Sequence, residues 1–262
     1  MFLIGTNWKM NKTRRETAEY ARRVGDYLTA NSLPIDTQLF IIPSFLSLES
    51  ALPLKENSAV RLGVQNIYPG DEGAFTGEVS ARQAADAGAS IALIGHSERR
   101  ALFGETDEGV NAKVLAAIDT GLTALICVGE RAIEREAGCG KEHVVRQVRM
   151  ALIDVPKEAT PLIWIAYEPV WAIGVGGRPA TSAYAEEVHT AIRSALTELY
   201  DTETARQIPI LYGGSVDMEN AAEYVRRSNI DGVFVGRYAL DVDAFIRLID
   251  SLKKLRAEAG SI

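Results

Sequence analysis

The chain has 262 residues, of which 47% are hydrophobic and 24% charged, and this composition is ordinary for a globular protein. The net charge of −7, from 28 basic and 35 acidic residues, argues against a surface that binds nucleic acid or other polyanions. Two cysteines, Cys127 and Cys139, are too few for a disulfide framework or a cysteine-bound metal cluster.

The start of the chain enters an apolar segment without a basic leader or a small-residue cleavage site, so we expect no secretory signal. No apolar run approaches the roughly 20 residues that a membrane-spanning helix needs. We therefore expect a soluble, cytoplasmic protein with no membrane partner. Cys127 lies inside an apolar run, and we interpret it as a packed strand residue.

Short apolar runs typical of buried strands recur along the whole chain. They occupy residues 2–4, 39–42, 60–63, 91–94, 122–127, 162–165, 208–211 and 232–235. Amphipathic segments typical of helices lie between them, at residues 14–30, 107–120, 143–153, 184–200 and 242–257. Thr106 and Asp217 stand where helix N-caps are expected.

This alternation of strands and helices predicts an α/β fold with parallel pairing and right-handed crossovers. Because eight such units follow one another without a linker, we expect a single-domain (β/α)8 barrel over residues 1–262. A doubly wound open sheet is the alternative, but no Gly-x-Gly-x-x-Gly motif follows the first strand. In a barrel, functional residues lie at the C-terminal ends of the strands and in the loops that follow.

Asn7 and Lys9 follow the first run, and residues two apart on an extended segment point to the same side. If both face the barrel mouth, Lys9 places a cation at the centre of the site. The alternative is an ordinary surface lysine. The apolar flanks Trp8 and Met10, which would face the other way, weaken that alternative.

His96 follows the fourth run, and Ser97 is a suitable N-cap for a short helix behind it. Such a helix would direct its positive end at the imidazole and disfavour protonation of His96. A neutral imidazole can donate to and accept from substrate oxygens. Glu98 either holds Lys9 or is structural. The other two of the three histidines fall in predicted helices and are interpreted as packing or surface residues.

Glu168 follows the sixth run, and Pro169 ends that strand because proline cannot donate to a sheet ladder. A helix is expected to begin near Thr181. The apolar, glycine-bounded segment between them suggests a lid over a carboxylate base, whereas the alternative is a solvated loop glutamate. The predicted lid comprises Pro169, Val170, Trp171, Ala172, Ile173, Gly174, Val175, Gly176 and Gly177.

Glycines follow the last two runs, in Leu211-Tyr-Gly-Gly-Ser-Val216 and Val235-Gly-Arg-Tyr-Ala-Leu240. Glycines before a helix present backbone N–H groups to an anion, and the helix dipole adds to the attraction. Either loop alone could be a simple turn. Because barrels often bind phosphate between the loops after strands seven and eight, the pair predicts a phosphate site.

The strand ends thus combine one carboxylate, one neutral histidine, a lysine, an asparagine and a phosphate site. The sequence contains no metal-ligand cluster, no Ser-His-Asp order and no dinucleotide motif, so we expect neither a metal nor a cofactor. A base, a hydrogen-bonding imidazole and a cation suit proton abstraction beside a carbonyl, with electrostatic stabilisation of the resulting enediolate.

These motifs resemble the triosephosphate isomerase family over nearly the whole chain. The matching segments are Asn7-Trp-Lys-Met-Asn11, Gln65-Asn66, Thr76-Gly-Glu-Val-Ser80, Gly95-His-Ser-Glu-Arg-Arg100, Ala166-Tyr-Glu-Pro-Val-Trp-Ala-Ile-Gly174 and Tyr212-Gly-Gly-Ser-Val216. The resemblance implies a TIM barrel. A glutamate base paired with a neutral histidine is the known pattern of this family rather than a deduction from spacing.

The resemblance implies a role for each matching residue. Glu168 would move a proton between adjacent carbons, and His96 would move a proton between the two oxygens. Lys9 would stabilise the developing oxyanion and the phosphate, while Asn7 would orient the substrate. Glu98 would support the region of Lys9 and His96.

The loops also receive roles from the resemblance. Gly174, Ser215 and Gly236 would donate backbone N–H groups to the substrate phosphate. Tyr212 and Ser215 would hold the lid shut, which excludes water and prevents elimination of phosphate from the enediolate. Thr76 matches the residue that reaches into the neighbouring subunit's site, so the resemblance implies a homodimer.

Three segments depart from the common family pattern. Gly236 is followed by Arg237 where a second glycine is common, and the guanidinium of Arg237 could grip the phosphate bidentately. The lid continues as Gly174-Val-Gly-Gly-Arg-Pro-Ala180, and Lys12 stands where glycine is common. These departures resemble the erythrulose-phosphate isomerases of erythritol catabolism.

We therefore favour a four-carbon substrate, with conversion of L-erythrulose 1-phosphate to D-erythrulose 4-phosphate through a cis-enediolate. The alternative is the glycolytic conversion of dihydroxyacetone phosphate to D-glyceraldehyde 3-phosphate. A barrel that binds a phosphorylated ligand without catalysis is a third possibility. The presence of Glu168, His96 and Lys9 together argues against that possibility.

Overall fold

All eight predicted strands are present, and they close into one barrel in which each strand pairs in parallel with its sequence neighbours. The computed structural model describes residues 1–173 and 179–259, with side chains to residue 256. The strands are β1 (Phe2–Asn7), β2 (Thr37–Ile42), β3 (Val60–Val64), β4 (Ile91–Ile94), β5 (Thr123–Val128), β6 (Ile163–Tyr167), β7 (Ile210–Tyr212) and β8 (Gly232–Val235). The predicted TIM barrel is therefore confirmed.

Helices connect the strands around the outside of the barrel. They are α1 (Arg14–Ala30), α2 (Leu48–Ala51), α3 (Ala81–Asp86), α4 (Ser97–Phe103), α5 (Asp107–Asp119), α6 (Ala132–Glu136), α7 (Gly140–Ala151), α8 (Ser182–Leu199), α9 (Thr202–Gln207), α10 (Ala221–Val225) and α11 (Val242–Ala259). Within the described ranges, no helix is long and apolar enough to cross a membrane.

The predicted helix starts are largely correct. Thr106 caps α5, because its side chain accepts from the N–H of Gly109. Asp217 does not cap α10. Its carboxylate accepts from the N–H groups of Glu219 and Asn220, so it closes the turn before the helix, and Asn220 takes the cap position.

The barrel interior is filled by large apolar side chains around Phe40. The Phe40 ring lies 5.6 Å from that of Trp164 and 5.5 Å from that of Phe234. A Cβ at Gly5 would meet the Phe40 ring at 1.9 Å, so β1 needs glycine there. Burying a phenylalanine this completely is worth about 1.5–3 kcal/mol. The packed interior leaves the C-terminal mouth as the open end of the barrel.

Candidate active site

The C-terminal ends of the strands surround a cavity of about 860 Å³. Its walls come from the loops after β1, β4, β6, β7 and β8, as the barrel prediction requires. The lining includes nine of the predicted site residues: Asn7, Lys9, His96, Glu98, Glu168, Ile173, Ser215, Gly236 and Arg237. The structure thus brings together side chains that are separated by more than two hundred positions in the sequence.

Lys9 reaches the cavity by a different backbone route from the one expected. Strand β1 ends at Asn7, and Lys9 has a left-handed backbone with φ of 52° rather than an extended one. The Asn7 side-chain oxygen accepts from the Lys9 N–H at 2.9 Å, and Gln65 donates to the Lys9 carbonyl at 2.7 Å. Two side-chain hydrogen bonds therefore hold a backbone conformation that non-glycine residues rarely adopt.

The expectation that Trp8 and Met10 share the opposite face is wrong. Trp8 is fully buried, whereas Met10 is 96% exposed, because the turn at Lys9 breaks the alternation of the strand. Glu98 holds Lys9, with Lys9 Nζ 2.6 Å from Glu98 Oε1, so the structure decides between the two roles left open for Glu98.

His96 itself caps helix α4, and the prediction that Ser97 is the N-cap is wrong. His96 Nδ1 accepts from the N–H of Glu98 at 3.2 Å, and Ser97 is the first helical residue. This bond requires that Nδ1 carry no proton, so in the neutral ring the hydrogen lies on Nε2. His96 is buried, and Nε2 lies 3.5 Å from Glu168 Oε1.

Glu168 is only 3% exposed, so its alternative as a solvated loop glutamate is wrong. Within the described part of the chain its Oε2 has no hydrogen-bond partner. Two glycines flank it. A Cβ at Gly129 would meet the Glu168 carbonyl oxygen at 1.8 Å, and one at Gly213 would meet Glu168 Cγ at 2.9 Å. A buried carboxylate oxygen without a partner is costly, but it keeps its accepting capacity for a substrate proton.

Cys127 and His189 are packed residues, as interpreted from the sequence. Cys127 lies in β5, and burial together with the nearby Glu168 carboxylate raises the pKa of its thiol. His189 is fully buried on α8, and burial lowers its pKa to about 3, so this imidazole is neutral. Its Nδ1 lies 3.0 Å from the Asn229 carbonyl oxygen.

The loops after β7 and β8 line the cavity, but no α-helix in the described part of the chain begins at their glycines. A Cβ at Gly214 would meet the Tyr212 hydroxyl at 2.2 Å, whereas a Cβ at Gly236 would lie in open space. The segment after β8 is a 3-10 turn, Arg237–Leu240, and α10 begins only at Ala221. The expected helix-dipole contribution is therefore confined to short turns, and the backbone N–H groups remain as the candidate anion donors.

A family model described as Triosephosphate isomerase matches residues 2–252. The chain belongs to the triosephosphate isomerase family. It is accordingly an isomerase of the intramolecular oxidoreductase type, and members of this family act on phosphorylated sugars.

Relatives in this family carry two different names at the same level of similarity. Triosephosphate isomerase of Chloroflexus aurantiacus is 44% identical over 247 residues, 94% of this chain and 97% of the relative. L-erythrulose-1-phosphate isomerase of Mycolicibacterium smegmatis is 44% identical over 248 residues, 94% of this chain and 91% of the relative. L-erythrulose-1-phosphate isomerase of Rhizobium etli is 43% identical over 248 residues, which are 94% of this chain and 90% of the relative.

The first part of the predicted lid of this triosephosphate isomerase family member is a 3-10 turn, Val170–Ala172, with Pro169 before it and Ile173 on the cavity wall. Gly174, Val175, Gly176 and Gly177 lie outside the described residues. Their lid roles, and the phosphate contact of Gly174, stay predictions. Pro179 is exposed, and Thr181 caps α8 by accepting from the Tyr184 N–H, close to the predicted helix start.

Glu130, which was not among the residues predicted from the sequence, contacts the first part of the predicted lid. Its carboxylate is fully buried and accepts from Trp171 Nε1 at 2.7 Å and from the hydroxyls of Tyr167 and Tyr184, each at 3.0 Å. The Arg135 guanidinium lies 3.8 Å from the Trp171 ring centroid. The available signal was the position of Glu130 directly after the fifth strand, where barrels place functional residues.

Tyr212 is fully buried and is not part of the cavity lining. Its ring stacks on that of Tyr224 with centroids 3.9 Å apart, and burial raises the pKa of its hydroxyl. Among the described residues that hydroxyl has no hydrogen-bond partner, while Tyr224 donates to the Ala180 carbonyl at 2.5 Å. The predicted contact between Tyr212 and the closed lid stays a prediction.

Proposed function

We propose that the protein moves the carbonyl of a phosphorylated sugar by one carbon, using Glu168 as the base, His96 to move a proton between the two oxygens and Lys9 as the electrostatic stabiliser. The observation that carries this proposal is the buried Oε2 of Glu168, which has no partner among the described residues, in a carboxylate whose Oε1 lies 3.5 Å from His96 Nε2. Glu168 takes a proton from the carbon beside the carbonyl and returns it to the former carbonyl carbon. No electrons leave the substrate, so no redox partner is required.

His96 and Lys9 stabilise the intermediate in this proposal. As the proton leaves carbon, the electron pair moves onto the carbonyl oxygen, which takes the Nε2 proton of His96. His96 then takes the proton of the neighbouring hydroxyl, so the new carbonyl forms at that carbon while Glu168 returns its proton to the former carbonyl carbon. The Lys9 ammonium, held 2.6 Å from Glu98, supplies positive charge to the same region. Such preorganised charges act where negative charge develops, and removing one typically costs about 10²–10³-fold in kcat.

The proposed substrate is a four-carbon ketose phosphate, with L-erythrulose 1-phosphate converted to D-erythrulose 4-phosphate. Arg237 supports this proposal, because it lines the cavity at a position where glycine is common in the family. A cavity of about 860 Å³ has room for the extra hydroxymethyl group. The relatives named for erythrulose phosphate and for triose phosphate are equally similar, so the alternative is dihydroxyacetone phosphate and D-glyceraldehyde 3-phosphate.

The substrate proposal predicts a kcat/KM for L-erythrulose 1-phosphate at least about ten-fold above that for D-glyceraldehyde 3-phosphate, since one extra carbon group is commonly worth 10–200-fold. Initial rates with each purified substrate measure the ratio. Arg237→Gly introduces the residue that is common in the family at this position. It should lower the ratio of kcat/KM for L-erythrulose 1-phosphate to that for D-glyceraldehyde 3-phosphate. A higher kcat/KM for the triose would overturn the four-carbon proposal, and no turnover of either sugar would favour the non-catalytic binding barrel.

We also propose a homodimer in which Thr76 reaches the partner's site. Thr76 is exposed and does not line its own chain's cavity. Exposed apolar side chains occur on the segments that follow the adjacent strands β1, β2, β3 and β4: Met10, Phe45, Leu46, Phe75, Leu102 and Phe103. Isologous contacts between such faces are the commonest way in which soluble proteins pair.

The dimer proposal predicts that the protein sediments at twice the chain mass of 28.5 kDa. Thr76→Glu should weaken pairing and lower activity together, because it places a charge in the proposed contact. Thr29→Glu is a matched control, since Thr29 is also exposed but lies on α1. Sedimentation of the unaltered protein at a single chain mass at micromolar concentration would contradict the proposal.

A further inference from the structure

The turn after β8 is held at its far end by residues from the beginning of the chain. The hydroxyl of Tyr20, on α1, donates to the Ala239 carbonyl at 2.9 Å. The ammonium of Lys12, in the connection between β1 and α1, donates to the Leu240 carbonyl at 2.7 Å. Both acceptors belong to the same 3-10 turn, whose first residue is Arg237.

Lys12 is fixed by more than this one bond. Its Nζ lies 4.8 Å from the ring centroid of Tyr20 and 5.4 Å from that of Trp8, within the range of cation–π attraction. The two rings are buried and contact each other edge to face, with centroids 4.7 Å apart. Burial lowers the pKa of the Lys12 ammonium, an effect that the carboxylates of Glu16 and Asp241 oppose.

The backbone of Lys12 is left-handed, with φ of 68°, which glycine adopts without strain but lysine does not. Lys12 does not line the cavity that holds Glu168. The strained backbone of Lys12 thus accompanies side-chain contacts that lie outside the cavity. These contacts connect the segment after β1, which carries Asn7 and Lys9, to the turn that begins at Arg237.

We propose that Lys12 is a positioning residue for phosphate binding, which joins the β1 loop to the β8 turn and so fixes Gly236 and Arg237 against the substrate phosphate. This proposal rests on the proposed function, in which the β8 turn binds that phosphate. Holding the carbonyl end of a short turn fixes the direction of its opening N–H groups, and preorganised donors bind an anion more tightly than mobile ones. Lys12 touches no reacting atom.

Lys12→Met tests this proposal, because methionine keeps an unbranched apolar stem between the rings and removes the charged donor. KM for the sugar phosphate and the inhibition constant of inorganic phosphate should both rise about three- to ten-fold, while kcat falls less than KM rises. Lys12→Arg, which keeps the charge, should restore both constants to near the original values.

Lys55→Met is the matched control. Lys55 Nζ also donates to a backbone carbonyl, that of Gly88, at 2.9 Å, but Lys55 is outside the cavity lining. This variant should leave KM and phosphate inhibition unchanged. Lys12→Gly completes the set, since it removes both the side chain and the strain and should raise KM without lowering the unfolding temperature.

The possible outcomes separate this inference from the function on which it rests. If Lys12→Met and Lys12→Gly change only the unfolding temperature and leave KM and phosphate inhibition unchanged, the positioning role is wrong and the proposed function stands. If inorganic phosphate does not compete with substrate in the unaltered protein, the phosphate site itself is wrong, and the role of Lys12 with it.

Discussion

Replacing Glu168 with glutamine is expected to lower kcat by about 10²–10⁴-fold, the usual contribution of a positioned general base. Glutamine has nearly the same shape but cannot take a proton from carbon. KM should change little, because Lys9, His96 and the phosphate loops are untouched. Folding stability should be equal or higher, since a buried carboxylate oxygen without a partner is replaced by a neutral group. Steady-state kinetics and thermal unfolding of the same preparations measure both effects.

Glu168→Asp is the matched variant, because it keeps the carboxylate and withdraws it by about one carbon–carbon bond. A displacement of about 1 Å can cost about 10²-fold in rate, so the aspartate variant should also be slow. Glu203→Gln, at an exposed position on α9, controls for a general effect of lost charge. If Glu168→Gln kept kcat within ten-fold of the original, another group would have to be the base.

Lys9→Met should lower kcat/KM by about 10²–10³-fold, because it removes positive charge from the place where we propose that the oxyanion forms. The side chain remains unbranched and of similar length, and the left-handed backbone at this position is equally strained in both proteins. The loss should appear in kcat as well as in KM, since the charge matters most when the enediolate has formed. Kinetics with the preferred substrate provide the measurement.

The control for Lys9→Met must separate the loss of a catalytic charge from the effect of leaving the Glu98 carboxylate without its cation. Lys157→Met breaks a lysine–carboxylate pair of similar length, 2.5 Å to Asp201, on the surface, and should have little effect. In the double variant Lys9→Met with Glu98→Gln, no unpaired carboxylate remains. Recovery of activity in that double variant would mean that Lys9 serves only to neutralise Glu98.

The barrel could be predicted because its signal is local. Eight apolar runs with amphipathic segments between them leave few topologies, and the helix bounds at Arg14, Ala30 and Val242 follow directly from the hydrophobic pattern. The positions of Glu168 and His96 at strand ends could also be predicted from the sequence, because a barrel fixes which end of each strand faces the site.

The errors arose where side chains contact residues distant in sequence or where the backbone leaves regular geometry. Neither the left-handed turn at Lys9 nor the use of His96 in place of Ser97 as a cap follows from residue preference, since both depend on local hydrogen bonds. Glu130 was missed because its partners, including Trp171 on the lid, come together only when β5 and β6 pair.

The N-cap of helix α4 is a hydrogen bond from the Glu98 N–H to the His96 imidazole, so this cap depends on the protonation of the ring. His96 Nδ1 can accept from the Glu98 N–H only while that nitrogen is unprotonated, so an imidazolium would lose this bond, although the backbone bonds to the His96 carbonyl would remain. The amide hydrogen of Glu98 thereby becomes a built-in reporter. Its solvent exchange and its nitrogen chemical shift would register the charge on the His96 ring, from a position on the main chain that no substrate needs to touch.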